Sequence, residues 1–167
     1  LKKVSTANIS DALHRGGWIK GVKPVLNENF KVAGKCITVR TYPGDWAKPV
    51  EAIDIAEEGD IIVIDAGGIG PAVWGELATN SAIIKKLEGV VIYGGVRDVE
   101  EIIKLKFPVF ASIITPSAGE PKGYGEINVP IKIEGQIISP GDWIAGDMDG
   151  VVVIPEEKVV EIANRAM

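Results

Sequence analysis

The sequence predicts a mixed α/β fold with a parallel central part and an antiparallel C-terminal meander, and three observations carry that prediction. Two continuous apolar runs, 60–65 and 89–93, have the texture of strands covered on both faces, as parallel strands are. The segment between them holds a glycine-rich loop and a helix-length stretch, so strand, helix and strand form a βαβ unit. Beyond Tyr124, short β-branched runs alternate with Glu134-Gly135, Pro140-Gly141 and Asp149-Gly150, the punctuation of antiparallel hairpins.

The elements follow in order. Residues 5–13 read as a short helix, with polar residues able to cap it and Ile9, Ala12 and Leu13 on one face. Residues 30–42 read as a strand ended by Pro43-Gly44-Asp45, and a helix is expected over about 49–57. After the strand at 60–65 comes a loop, then a helix over about 75–87 whose Leu77, Ile83, Ile84 and Leu87 suggest an apolar face. The strand at 89–93 leads to a helix over 98–106 and a third parallel strand at 108–111, with right-handed crossovers expected. Strands at 127–133, 136–138, 143–145 and 151–154 make the antiparallel end, and a proline at 155 opens the closing helix.

A chain of 167 residues with no repeat or linker is expected to form a single domain, 1–167. Eighteen Lys and Arg against 23 Asp and Glu, with no basic cluster beyond Lys85-Lys86, argue against nucleic acid as a direct ligand. No apolar run reaches the length of a membrane span, and the N-terminus lacks signal-peptide order, so a cytoplasmic location is expected. The chain opens on Leu1, which leaves tag removal, processing and excision from a longer polypeptide open. Cys36, the only cysteine, lies in an alternating run and reads as a buried strand residue.

Ligands of open α/β sheets collect beyond the carboxyl ends of the parallel strands. That rule selects the loop 66–75 and the loop Gly94-Gly95-Val96-Arg97-Asp98. Gly75, Glu76, Leu77 and Ala78 open a helix, whose free amides and positive dipole end suit a carboxylate or phosphate. Arg97 adds a planar cation able to bind a carboxylate through two hydrogen bonds, and Asp98 a hard oxygen of the kind Mg²⁺ or Mn²⁺ prefers. Each residue also has a plainer reading. Asp98 with Glu101 fits a helix N-cap with an acidic first turn, Arg97 a solvated loop residue, and Glu76 an acidic residue at a helix start. His14, expected in the first helix, has no partner motif, and Asp147-Met148-Asp149-Gly150 lacks the spacing of a calcium loop and reads as a hairpin turn. The four tryptophans are scattered and form no evident platform.

The stretch Val73-Trp74-Gly75-Glu76-Leu77-Ala78 through Tyr93-Gly94-Gly95-Val96-Arg97-Asp98-Val99-Glu100-Glu101 resembles the RraA-like family. The likeness runs from Ser5-Thr6-Ala7-Asn8 to Asp147-Met148-Asp149-Gly150 and Pro155, nearly the whole chain. The family includes the class II 4-hydroxy-4-methyl-2-oxoglutarate aldolases and regulators that inhibit ribonuclease E. The resemblance implies a β/β/α swivelling-domain sandwich, assembled as a homotrimer or hexamer with sites at subunit interfaces. It also implies roles. Aldolase members have an acidic residue separated by twenty residues from an Arg-Asp pair, and Glu76 is separated from Arg97 by that interval, in a place where those members usually carry aspartate. By that match Arg97 and Glu76 are catalytic, Asp98 holds a divalent metal (Mg²⁺, with Mn²⁺ as alternate), and Gly75, Glu76, Leu77 and Ala78 bind the 2-oxo-acid carboxylate with Arg97. The implied reaction is retro-aldol cleavage through a pyruvate enolate, with oxaloacetate decarboxylation as its companion. Two alternatives stay open: a non-catalytic protein-binding regulator of a ribonuclease, and a domain of a fused hexulose-phosphate synthase.

Overall fold

A computed structural model describes all 167 residues, Leu1 to Met167. The first helix, α1 (Thr6–Ala12), is capped by the Ser5 hydroxyl, which accepts from the Asn8 amide at 3.1 Å. There follow β1 (Lys23–Pro24), β2 (Val32–Arg40), α2 (Ala47–Ile55), β3 (Ile61–Asp65), β4 (Ala72–Trp74), α3 (Glu76–Ile84), β5 (Gly89–Val96), α4 (Val99–Leu105) and β6 (Val109–Ile114). The C-terminal part holds β7 (Glu126–Ile127), β8 (Ile131–Ile133), β9 (Gln136–Ile138), β10 (Trp143–Asp147), β11 (Gly150–Ile154), a 3₁₀ turn and α5 (Val159–Ala166).

The main sheet runs β1-β6-β5-β3-β2-β10-β11, with β4 alongside β5 and β7 alongside β2. β2, β3, β5 and β6 are mutually parallel, and β10 and β11 join as an antiparallel hairpin with β10 against β2. β8 and β9 form a separate antiparallel pair. The sheet curls until its ends nearly meet: the Ile19 amide donates to Val151 O at 3.0 Å and the Val153 amide to Gly17 O at 2.8 Å.

The strands are apolar on both faces because both faces are covered. Inside the curl, Ile61, Val63, Val91 and Phe110 meet Ile133 and Ile138 of the small hairpin. Outside, Ile62, Ile64, Val90 and Ile92 pack under the three middle helices, with Ala52, Ala82 and Ile102 as their contact residues. α1 and α5 cover the far end through Ile9, Ile154 and Ile162. Each buried Val, Ile or Phe among these contributes roughly 1.5–3 kcal/mol relative to exposure, which makes the parallel strands a stiff base for the loops at their ends. No helix is long and apolar enough to cross a membrane.

Several expectations need correction. α2 starts and ends two residues early, and α3 stops at Ile84, so Leu87 lies beyond it. The expected apolar face of α3 is not its buried face: Leu77 and Ile84 are 83% and 82% exposed, while the small residues Thr79 and Ala82 are buried. The loop 66–75 contains a strand, β4, that sequence reading left out. His14 lies past α1, in a left-handed turn at φ 56°.

Candidate functional site

β4 pairs with the last residues of β5, Ala72 with Gly95 and Trp74 with Val96, so the connections into α3 and α4 leave the sheet side by side. The Arg97 amide donates to Trp74 O at 3.0 Å. The first turn of α3 is braced by Thr79, whose hydroxyl donates to Gly75 O at 2.9 Å and accepts from the Trp74 indole at 2.8 Å. Asp98 precedes α4 in the left-handed region (φ 59°, ψ 36°), where aspartate is among the better tolerated side chains. Its carboxylate caps no amide of α4. It turns across to α3, where Oδ2 accepts from the Glu76 amide at 2.9 Å. The plain N-cap reading of Asp98 is therefore replaced by a cross-loop one.

Gly75 makes this approach feasible. Its φ of −159° is ordinary extended backbone, but a Cβ there would lie 2.6 Å from Asp98 Oδ2 and 3.4 Å from Arg97 Cγ. Glycine is required by proximity rather than by conformation.

Arg97 and Asp98 are exposed, and neither they nor Glu76 belongs to any of the chain's ion pairs. Of the helix-start amides, that of Glu76 is taken by Asp98; Gly75 offers no capping side chain to those of Leu77 and Ala78. These groups border a cavity of about 310 Å³ completed by Trp46 just ahead of α2, Val50 of α2, Trp74, Ala118 and Gly119. A larger open cleft of about 790 Å³ adjoins it across Ala118 and Gly119, bordered by Tyr42, Asp45, Lys122 and Tyr124. The smaller cavity is the candidate site because it, and not the larger cleft, gathers Arg97, Asp98 and the start of α3.

Sequence reading missed the far wall of the cavity. Residues 115–125 leave β6, the third parallel strand, so the rule that selected the loops after β3 and β5 selects this one too. The segment is tied down at Ala72 and Gly44, through Ala72 N to Ser117 O (2.9 Å), Gly119 N to Ala72 O (3.2 Å) and Glu120 N to Gly44 O (2.9 Å). The Trp46 indole donates to Gly119 O at 3.3 Å. Asp45, 4% exposed, accepts from the amides of Ala47 (3.2 Å), Lys122 (3.2 Å) and Gly123 (3.1 Å) through Oδ1 and of Tyr124 (2.9 Å) through Oδ2.

Burial alone would raise the Asp45 carboxyl, yet the four backbone donors outweigh it and hold the group below its ordinary range. A depressed folded value means that the ionised carboxylate stabilises the fold above the unfolded value, near 4, and that this contribution is lost as pH falls through the folded one. Amides 122–124 are thus expected to lose hydrogen-exchange protection below about pH 4, before the β5 amides do. Simultaneous loss in both would count against local control by Asp45.

The remaining candidates have structural roles. Cys36 is buried, its thiol donating to Ser139 O at 3.3 Å; burial, then the charge of Asp142, pushes it up to about 12, so it is an inert thiol. Asp147 accepts from the Thr6 amide (2.9 Å) and hydroxyl (2.7 Å) and from the Asp149 amide (2.9 Å), pinning α1 to the β10–β11 turn. His14 does not line the cavity, whereas two of the tryptophans scattered in the sequence, Trp46 and Trp74, do.

The parallel strands deliver an arginine, an aspartate and a helix start to one small cavity of an α/β protein, and a guanidinium beside free helix-start amides is chemically able to hold an anion. Comparison with known proteins narrows the class. The family model described as RraA-like, Aldolase/RraA, matches residues 6–153. The chain belongs to the RraA-like family. An uncharacterized protein of Methanocaldococcus jannaschii is 45% identical over 99% of this chain and 80% of its own length. The 4-hydroxy-4-methyl-2-oxoglutarate aldolase of Thermus thermophilus is 30% identical over 90% of this chain and 92% of its own. Among solved structures, the RNA-processing inhibitor RraA from Thermus thermophilus superposes with a TM-score of 0.82 at 28% identity, covering 91% of this chain and 93% of that one. At the level of the family, the relatives' names support an aldolase, a lyase activity.

Proposed function

We propose that the cavity at Arg97 and Asp98 is the active site of a divalent-metal-dependent 2-oxo-acid lyase. It would cleave 4-hydroxy-4-methyl-2-oxoglutarate-like substrates and decarboxylate oxaloacetate. The observation that carries the reading is the hydrogen bond from the Glu76 amide to Asp98, which brings Arg97, Asp98 and the start of α3 onto one cavity.

The donor set fits Mg²⁺. Asp98 Oδ1 accepts no protein hydrogen bond, and Mg²⁺ is commonly held by one or two carboxylates with water and substrate oxygens completing its shell. No three His, Cys, Asp or Glu side chains converge in the chain, and Asp98 is the residue that would hold the metal here. When bound, the metal supplies Lewis-acid stabilisation of charge developing on the 2-oxo oxygen.

The residues of the chain do the rest. Arg97, free of competing carboxylates, binds the substrate carboxylate through paired hydrogen bonds, with the Leu77 and Ala78 amides as further donors. The Glu76 amide fixes the Asp98 carboxylate in one orientation. Cleavage takes the proton from the C4 hydroxyl, breaks the C3–C4 bond and leaves the electron pair on a pyruvate enolate, whose C3 then takes up a proton. Glu76, which lines the cavity, would orient the water that carries these protons. Loss of carbon dioxide from oxaloacetate leaves the same enolate. The exposed Leu77 and Ile84 suit the proposed homotrimer or hexamer, in which another copy would cover them. An unpaired Arg97 beside Asp98 favours this lyase over a protein-binding regulator.

With Mg²⁺, the chain is expected to release pyruvate from 4-hydroxy-4-methyl-2-oxoglutarate or oxaloacetate and to stop when the metal is chelated. Arg97→Ala is expected to lower kcat/KM about 10²–10³-fold, the usual effect of removing one donor to developing charge. Turnover indifferent to both treatments would sink the assignment.

A further inference from the structure

We infer that Asp45 is a positioning residue for this site: it holds the 115–125 strap in place, and the strap sets the size of the carbonyl fragment the cavity accepts. The inference rests on the lyase reading and extends it to substrate selection. In that reading the substrate carboxylate occupies the polar side of the cavity, at Arg97, Asp98 and the start of α3. The wall left for the part beyond the scissile bond is Trp46, Val50, Ala118 and Gly119.

Ala118 and Gly119 also border the 790 Å³ cleft, so this corner of the strap is the partition between the two spaces. Its approach to the body leaves no slack, since a Cβ on Gly119 would collide with the Gly44 carbonyl. Past the corner, three successive amides, Lys122, Gly123 and Tyr124, all donate to Asp45. Further ties at this end are the Thr41 hydroxyl, which donates to Tyr124 O at 2.9 Å, the Tyr42 ring against Tyr124, and the pairing of β7 with β2 just beyond it. The adjacent Trp46 carries the indole that holds Gly119 O, so residues 45–46 anchor the strap at both its middle and its end. Asp45 has no cationic partner, and its charge is balanced by backbone donors alone.

The chemistry requires a carboxylate. Four donors converge on two oxygens, and an asparagine would turn an NH₂ group on at least one of them. Releasing this end of the strap lets the corner move and joins the cavity to the cleft, which admits bulkier fragments and holds small ones less well.

The test compares the full wild-type chain with Asp45→Asn under Mg²⁺. Hydrogen exchange at amides 122–124 is expected to quicken about tenfold or more while the β5 amides keep their protection. The ratio of kcat/KM for 4-hydroxy-4-methyl-2-oxoglutarate to that for an analogue with a larger C4 substituent is expected to fall about fivefold or more, chiefly through KM, a size typical of one methylene's worth of discrimination. The effect on oxaloacetate, whose departing fragment is only carbon dioxide, is expected to be smaller. Should Asp45→Asn not fold, Thr41→Val loosens the same end and is expected to move both readouts in the same direction. Faster exchange with an unchanged size ratio, or unchanged exchange, overturns the inference. Absence of wild-type turnover on all three substrates counts against the lyase reading alone. Size preference is then read from the affinities of pyruvate and a bulkier 2-oxo acid, with the same shift required.

Discussion

Asp98→Ala is expected to lower kcat/KM by about 10³-fold or more, because it removes the carboxylate proposed to hold the metal together with its charge. The substitution also has a stability component. Alanine at φ 59° is strained by roughly 1–2 kcal/mol, and the bond from the Glu76 amide is lost. Asp98→Asn separates the two effects, since asparagine tolerates the left-handed region and its oxygen can still accept from Glu76. Activity in Asp98→Asn should fall nearly as far as in Asp98→Ala, with a melting temperature close to wild type. Steady-state kinetics beside thermal unfolding reads both, and an active Asp98→Asn enzyme would remove the metal-holding role.

Gly75→Ala is expected to reduce kcat/KM by about 10²-fold while lowering stability by only about 1 kcal/mol, the net worth of one hydrogen bond. Alanine is at ease at φ −159°, so the effect comes from contact alone: the new Cβ meets Asp98 Oδ2 at 2.6 Å and must push the carboxylate away from the Glu76 amide. Displacement of about an ångström is enough to spoil a catalytic arrangement. Metal affinity should weaken in parallel, measurable by Mg²⁺ titration of activity. A variant with wild-type kinetics would show that the Asp98–Glu76 contact does not matter to the reaction.

What the sequence revealed and what it hid divide along physical lines. The strands read at 60–65 and 89–93 were legible because burial on both faces demands unbroken apolar runs, whereas Gly94-Gly95-Val96, read as loop, continues the second strand to Val96. The meeting of the α3 start with Arg97-Asp98 followed from strand order at the carboxyl ends. β4 was illegible: Ala72-Val73-Trp74 is three residues inside a glycine- and proline-rich loop, too short to show any period. The buried face of α3 was misread because spacing reports which residues share a face but not which face the neighbouring helices claim. Thr79 and Ala82 are small enough for close packing, and they lie inward while Leu77 and Ile84 stay out. Asp45 looked like a turn residue after Pro43-Gly44, since three of its four partners lie 77 to 79 residues further on. The direction of the Asp98 side chain depended on a left-handed backbone that sequence does not announce.

The place of β2 between β3 and β10 bears on how the chain must mature. Its β3 edge can be satisfied early, but its other edge waits for residues 126–127, which pair with 39–40, and for residues 143–146, which pair with 32–35. During synthesis the four parallel strands are complete by Ile114, and at ordinary ribosomal speeds that second edge stays bare for on the order of seconds more. A bare apolar strand edge invites pairing with another nascent chain. Lys35 and Arg40, the exposed charged positions of β2, are the residues that discourage it, and replacing them with valine should divert newly made protein into aggregates.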